Sequence, residues 1–231
     1  MSLEITTRNN IGPDISYNEI FVTWLPNESK ESVIRKVKEL FDKGYTPVPH
    51  IAAKKIKDRK EAYELSNELS KYSTKVLIIG GSGKQEGNFS TVKELVITGA
   101  FNNFKIGVGG FPDGNGSIPF EEGIQILRKK AKYADFVVTQ WSLNKKSIKR
   151  FVDECPIPVY LGVPNKCSKK QLLKFAKLCG IRNSVKGFKS NIINMVRFMF
   201  GFNPRYIVNE FEGHNNVKKI HVYSFGNYDK L

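Results

Sequence analysis

The chain has few of the residues that metals and redox couples need. It holds three histidines and three cysteines. The cysteines (Cys155, Cys167 and Cys179) are widely spaced and form no Cys-x-x-Cys pair. That pattern supplies neither a zinc site nor a disulfide framework, and it reads as buried, reduced thiols in a cytoplasmic protein. No apolar run approaches the roughly 18 residues that a membrane span requires. Nor does a basic-then-apolar leader open the sequence. The sequons at Asn27, Asn88 and Asn115 therefore carry no weight. No low-complexity segment or Pro/Gly-rich linker divides the chain, so residues 1–231 read as one domain. A Ser/His/Asp or Cys/His constellation is also missing, which argues against a hydrolase.

Core material is plentiful, with sixteen Phe, nine Tyr and 40% hydrophobic residues. Such a chain can bury a full core. Its formal charge is +15. The lysines are spread over nearly every predicted helix, and aromatic residues are not interleaved with them in any one patch. This fits a solvated basic surface that attracts small anionic ligands better than it fits a nucleic-acid groove.

Apolar strand, loop and amphipathic helix alternate along the whole sequence. Strands are expected at Leu3–Thr6, Ile20–Trp24, Pro47–Ile51, Lys75–Ile79, Lys105–Gly109, Phe136–Gln140, Val159–Gly162 and Lys219–Ser224. Several are short continuous apolar runs, as in parallel strands covered by helices. Val33, Ile34, Val37, Leu40 and Phe41 follow helical spacing and stop at Gly44, a good residue for ending a helix. Asp58 and Ser168 can cap later helices, and a more apolar helix is expected from Ile192 to Phe200. Eight strands with intervening helices predict an α/β fold, the (β/α)8 TIM barrel. The chain is short for that fold, so some connections must be trimmed.

A barrel places its site at the C-terminal ends of the strands. Polar groups and glycines do collect there: Thr23, His50, Gly80-Gly81-Ser82-Gly83-Lys84, Gly109-Gly110-Phe111 and Thr139-Gln140. Burying Phe136, Val137 and Val138 does not require Thr139 and Gln140. A primary amide offers two donors and an acceptor, which suits a ring that presents N–H and C=O side by side. The stretch Gly80–Lys84 lacks the spacing of a phosphate-binding loop. It reads equally as a cradle for a phosphate or planar ring and as a plain strand-to-helix turn. Arg128, Lys129 and Lys130 form a basic triplet that reads first as a solvated face, with one or two of them able to reach a pyrophosphate near the rim.

In order along the chain, these segments resemble the methylenetetrahydrofolate reductase family, flavoprotein barrels of folate one-carbon metabolism. Ser2-Leu3-Glu4 is similar to the family's opening strand with its acidic residue. Phe21-Val22-Thr23-Trp24 and Pro49-His50-Ile51 match the ends of the next two strands. Gly107–Gly114 is similar to its Tyr-Pro-Glu segment, Ala134–Gln140 to its Ala-Asp-Phe-Ile-Ile-Thr-Gln motif, and Val217–Ser224 to its final strand.

The resemblance implies that Glu4 acts as general acid on a folate nitrogen. It further implies that Gln140 holds the pterin, with Phe188, Tyr223 and Asn227 on the substrate. FAD would lie against Thr23, His50, Gly81, Ser82, Phe111, Asn115, Glu122, Gln125, Arg128 and Lys129, with NAD(P)H as co-substrate. A homo-oligomer or an accessory subunit stays open as partner. The family's Arg-Gly-Asp reads Gly80-Gly81-Ser82 here, removing a carboxylate and an arginine from the flavin side. Phe111 replaces a tyrosine, Asn115 a histidine and Asn227 an arginine. Two readings follow: a flavin-dependent reductase making 5-methyltetrahydrofolate, or a flavin-free folate-binding carrier or methyl-transfer partner.

Overall fold

The computed structural model describes residues 1–12, 15–81, 83–115, 118–178, 202–229 and 231. Eight strands follow the chain: β1 (Ser2–Thr6), β2 (Glu19–Thr23), β3 (Thr46–Ala52), β4 (Lys75–Ile79), β5 (Lys105–Gly110), β6 (Phe136–Thr139), β7 (Val159–Pro164) and β8 (Val217–Tyr223). Their order in the sheet is their order in the sequence, and the sheet closes as a barrel. This is the expected (β/α)8 architecture. The helices are α1 (Lys30–Asp42), α2 (Arg59–Leu69), α3 (Val92–Val96), α4 (Phe120–Lys130), α5 (Lys145–Glu154), α6 (Lys169–Leu178) and α7 (Arg205–Phe211). Trimming falls on the β1–β2 connection, where no helix lies among the described residues. The helix expected from Ile192 to Phe200 lies outside the described residues.

Local chemistry starts and stops these elements. Ser29, Asp58, Thr91 and Asn144 each accept a backbone N–H in the first turn of α1, α2, α3 and α5. Such caps satisfy donors that a helix start leaves without partners. Helix α1 ends where Gly44 takes φ +84, and its N–H returns to the Phe41 carbonyl at 2.9 Å. Ser168 opens α6 as expected, exchanging hydrogen bonds with Gln171.

Every strand but β4 departs from its expected bounds by one or two residues. Strand β2 stops at Thr23, leaving Trp24 beyond it. Strand β6 stops at Thr139, so Gln140 is the first residue past the strand. Strand β8 runs from Val217 to Tyr223. Phe41 is not core: it is 47% exposed and rests edge-on against Tyr72, with ring centroids 5.8 Å apart.

Contacts divide the chain into two compact units. The N-terminal unit comprises residues 2–109 and 133–136; the C-terminal unit comprises Met1, 110–132 and 137–231. In the first, Leu3, Ile5, Ile20, Val22, Val48, Val76 and Ile78 are buried along with helix residues Val33, Val37, Leu40, Leu65 and Leu69. Its strands β1–β5 pair in parallel, with Glu4 opposite Phe21 and His50 opposite Leu77. Glu19 and Lys75 meet at 2.5 Å, and Glu19 is only 5% exposed. In the second unit, Val137, Val159, Leu161, Val163, Ile220 and Val222 are buried, as are Ile148, Phe151, Leu172, Ile207 and Phe211.

Glycine in β5 is a packing requirement. A Cβ on Gly107 would stand 2.5 Å from Phe136 Cζ. Overpacking of this kind is costly because the interior is already close-packed. Gly107→Ala is therefore expected to lower stability by about 2 kcal/mol in urea unfolding. Gly123→Ala on α4, where no atom lies within 4 Å of the added carbon, should be neutral or stabilising.

Candidate functional site

The C-terminal unit carries the polar strand ends of β6 to β8. Thr139 closes β6 and is fully buried. Its hydroxyl oxygen accepts the Gly162 N–H at 2.8 Å, and its carbonyl accepts the Tyr223 hydroxyl at 2.9 Å. Gly162 makes this possible. A Cβ there would collide with the Thr139 carbonyl and stand 2.8 Å from Tyr223 Cε2. Thr139 is thus structural: it ties β6 to β7 and β8 and sets where Gln140 stands. Gln140 donates its backbone N–H to the Gly110 carbonyl at 2.8 Å and is half-buried. The expected substrate residue Tyr223 belongs to the same tie.

Asn227, another expected substrate residue, fastens the chain beyond β8. Its amide donates to the Lys166 carbonyl at 3.2 Å, and its Oδ1 accepts the Asp229 N–H at 2.9 Å. Phe188 and Ser82 lie outside the described residues. On α4, Glu122, Gln125, Arg128 and Lys129 are exposed, while Ile124 and Leu127 are buried. Lys130 is half-buried, and burial pushes its ammonium below the usual lysine range, which makes it the least suited of the triplet to anchor a phosphate. Asn115 is exposed, and its backbone pairs with Ile118 in a short antiparallel bridge.

The N-terminal unit holds Glu4, Thr23, His50 and Gly81. Strand β1 is paired along its length with β2, which fixes Glu4 in the sheet. His50 is 4% exposed, and its Nε2 stands 3.4 Å from Glu4 Oε2. Neither of its ring nitrogens makes a hydrogen bond among the described residues. Phe21 lies edge-on to His50, with centroids 6.2 Å apart. Thr23 donates its hydroxyl to the Ile5 carbonyl at 2.9 Å.

The glycine loop after β4 holds two residues in left-handed backbone. Gly81 and Gly83 take φ +91 and +94, backbone that other residues rarely adopt. The loop folds back so that the Glu86 and Gly87 amides donate to the Lys54 carbonyl at 2.9 and 2.7 Å. Charge is balanced locally as well. Beside α1, a cleft of about 480 Å³ brings Arg8, Arg35 and Lys36 together with Glu28 and Glu39.

These residues fit a flavin dinucleotide poorly. The Thr23 hydroxyl proton is committed to Ile5, and Gly80-Gly81 supply neither carboxylate nor guanidinium. Two carboxylates, Glu121 and Glu122, stand in the first turn of α4, where a pyrophosphate would be repelled. Among the described residues no cluster of His, Cys, Asp and Glu could hold a metal, and no helix is long and apolar enough to cross a membrane.

Sequence reasoning passed over Trp141 and Phe225 and read Phe175 only as part of the apolar face of the helix that Ser168 opens; the three gather beyond the ends of β6 and β8. Trp141 directly follows Gln140, and an indole at that position was the available signal. Its ring lies 5.9 Å from that of Phe225.

No profile of a known protein family matches the chain. Among solved structures, it is similar to an uncharacterized protein from Clostridium thermocellum that binds two copies of 5-methyl-5,6,7,8-tetrahydrofolic acid. The identity is 14% and the TM-score 0.68, over 96% of this chain and 86% of that one. It is also similar to 2,3-dimethylmalate lyase, a PEP mutase/isocitrate lyase superfamily member, at 10% identity and TM-score 0.51, over 64% of this chain and 58% of that one. At these identities the likeness is one of fold.

Two outcomes test this geometry. Tyr223→Phe is expected to lower stability by about 1 kcal/mol in urea, and Gly162→Ala by about 3 kcal/mol through its clash. Burial pushes the Cys155 and Cys167 thiols up to about 11. Only about a thousandth of each is thiolate at pH 8. In a Cys179→Ser background, both should therefore resist a thiol-labelling reagent until urea unfolds the protein.

Proposed function

We propose that this chain is a folate-binding barrel that carries a reduced folate, or presents it to a methyl-transfer partner, without flavin chemistry. The observation that carries this reading is Gln140. Its backbone is held by the Gly110 carbonyl, and the preceding residue is locked to β7 and β8. A half-buried glutamine whose backbone is fixed in this way at a strand's C-terminal end is placed to meet a pterin's N–H and C=O edge. Preorganisation of that kind supports binding because little freedom remains to be lost.

The likeness to a barrel that binds 5-methyl-5,6,7,8-tetrahydrofolic acid supports the same ligand class. The motif Ala134–Gln140 supports it independently from the sequence. The resemblance assigns the acid role to Glu4, and His50, 3.4 Å away, is the neighbour with which it would share a proton. The reductase reading needs a flavin that the described residues fit poorly, so hydride transfer forms no part of the proposal.

Calorimetry with 5-methyltetrahydrofolate tests the proposal. Wild type is expected to bind, and Gln140→Ala to weaken binding by about tenfold or more, the loss of one to two directional hydrogen bonds. Wild type that binds no reduced folate would overturn it. Added FAD should leave the protein colourless after gel filtration; stoichiometric retention with flavin absorbance would restore the reductase reading instead.

A further inference from the structure

Trp141 is 1% exposed, and its indole Nε1 has no hydrogen-bond partner among the described residues. Buried indole N–H groups almost always find an acceptor, because water would otherwise supply one. The ring lies edge-on to Phe225, with planes 74° apart. Phe225 itself takes φ +48, the one positive φ outside glycine among the described residues. An aromatic side chain rarely accepts that backbone, and such strain concentrates at ligand sites.

On the Phe225 ring lies Phe175 of α6, with centroids 3.9 Å apart and planes 4° from parallel. Aromatic pairs usually settle at roughly 4.5–7 Å in offset or edge-on arrangements. Both rings are half-buried, and Tyr223 flanks Phe225 at 6.4 Å. Three unfavourable features therefore coincide: an unmade N–H bond, a left-handed phenylalanine and a compressed flat stack. Apolar packing alone requires none of them. A planar ring bearing a carbonyl would answer two of them, since it stacks well on Phe225 and offers an acceptor to the indole.

We infer that Phe225 is a shelf for the aminobenzoyl portion of the folate, with Phe175 standing on it until that ring arrives and Trp141 donating to its carbonyl. The inference rests on the folate reading and extends it. The linker of the ligand is recognised as well as the pterin, and binding works against a ring of the protein itself. Phe175 needs only a rotamer change to leave, since it sits half-buried on a helix surface.

The test uses calorimetry of the full chain with three ligands: 5-methyltetrahydrofolate, p-aminobenzoyl-glutamate and 6-methyltetrahydropterin. Trp141→Phe keeps an aromatic ring and removes the donor. It should weaken both aminobenzoyl ligands by about tenfold and leave the pterin fragment unchanged. Phe175→Ala, which removes the competing ring, should tighten both aminobenzoyl ligands by about threefold or more. Three results would overturn the inference: unchanged folate affinity in Trp141→Phe, weaker folate binding in Phe175→Ala, or no aminobenzoyl-glutamate binding by wild type. Failure of the pterin reading looks different. In that case 6-methyltetrahydropterin fails to bind and Gln140→Ala is silent, while aminobenzoyl-glutamate still responds to both shelf variants.

Discussion

A glycine in the middle of a strand governs the rim of the C-terminal unit. Gly162 has no side chain, so the Tyr223 ring can pass over β7 and its hydroxyl can reach the Thr139 carbonyl. The same residue's N–H closes on the Thr139 hydroxyl oxygen. Three strands are thereby fastened through one buried threonine. Gln140 and Trp141 follow it directly, so their positions inherit its rigidity. The tie also explains why a polar residue ends an apolar strand. Thr139 satisfies backbone and hydroxyl groups that burial would otherwise leave without partners, a loss of about 1–3 kcal/mol each.

The N-terminal unit shows the complementary problem of charge taken out of water. Glu19 and Lys75 neutralise each other across β2 and β4, and removing either partner alone would strand a buried charge at about 3–5 kcal/mol. Glu4 and His50 differ: they stand 3.4 Å apart, and neither imidazole nitrogen makes a hydrogen bond among the described residues. A buried ring with no hydrogen bond contributes little to stability.

Much of the barrel was legible because its signals are local. Short apolar runs, caps at Asp58 and Ser168, and the stop at Gly44 all depend on neighbours within a few residues. Strand ends were less legible, since pairing with adjacent strands decides them; Trp24 and Gln140 fall just outside for that reason. Phe41 followed the helical period yet lies at the margin of the buried stripe, where Tyr72 covers only one edge. In the site, Gln140 could be read from a polar residue after an apolar run. The hydroxyls of Thr23 and Thr139 looked equally available for a ligand, but both serve the strands, and only tertiary contacts reveal it. The Trp141, Phe175 and Phe225 cluster joins residues remote in sequence; periodicity placed Phe175 on a helix face but could not announce its partners.

What unites these observations is a barrel whose polar strand ends suit recognition of a flat, hydrogen-bonding ligand better than they suit electron transfer. The flavin positions carry committed hydroxyls, bare glycines and carboxylates in a helix's first turn. The most direct measurement is a crystal structure of the protein grown with 5-methyltetrahydrofolate. The account predicts the pterin's N–H and C=O edge on the Gln140 amide, at the end of β6. A folate bound away from Gln140, or a flavin occupying that strand end, would contradict it.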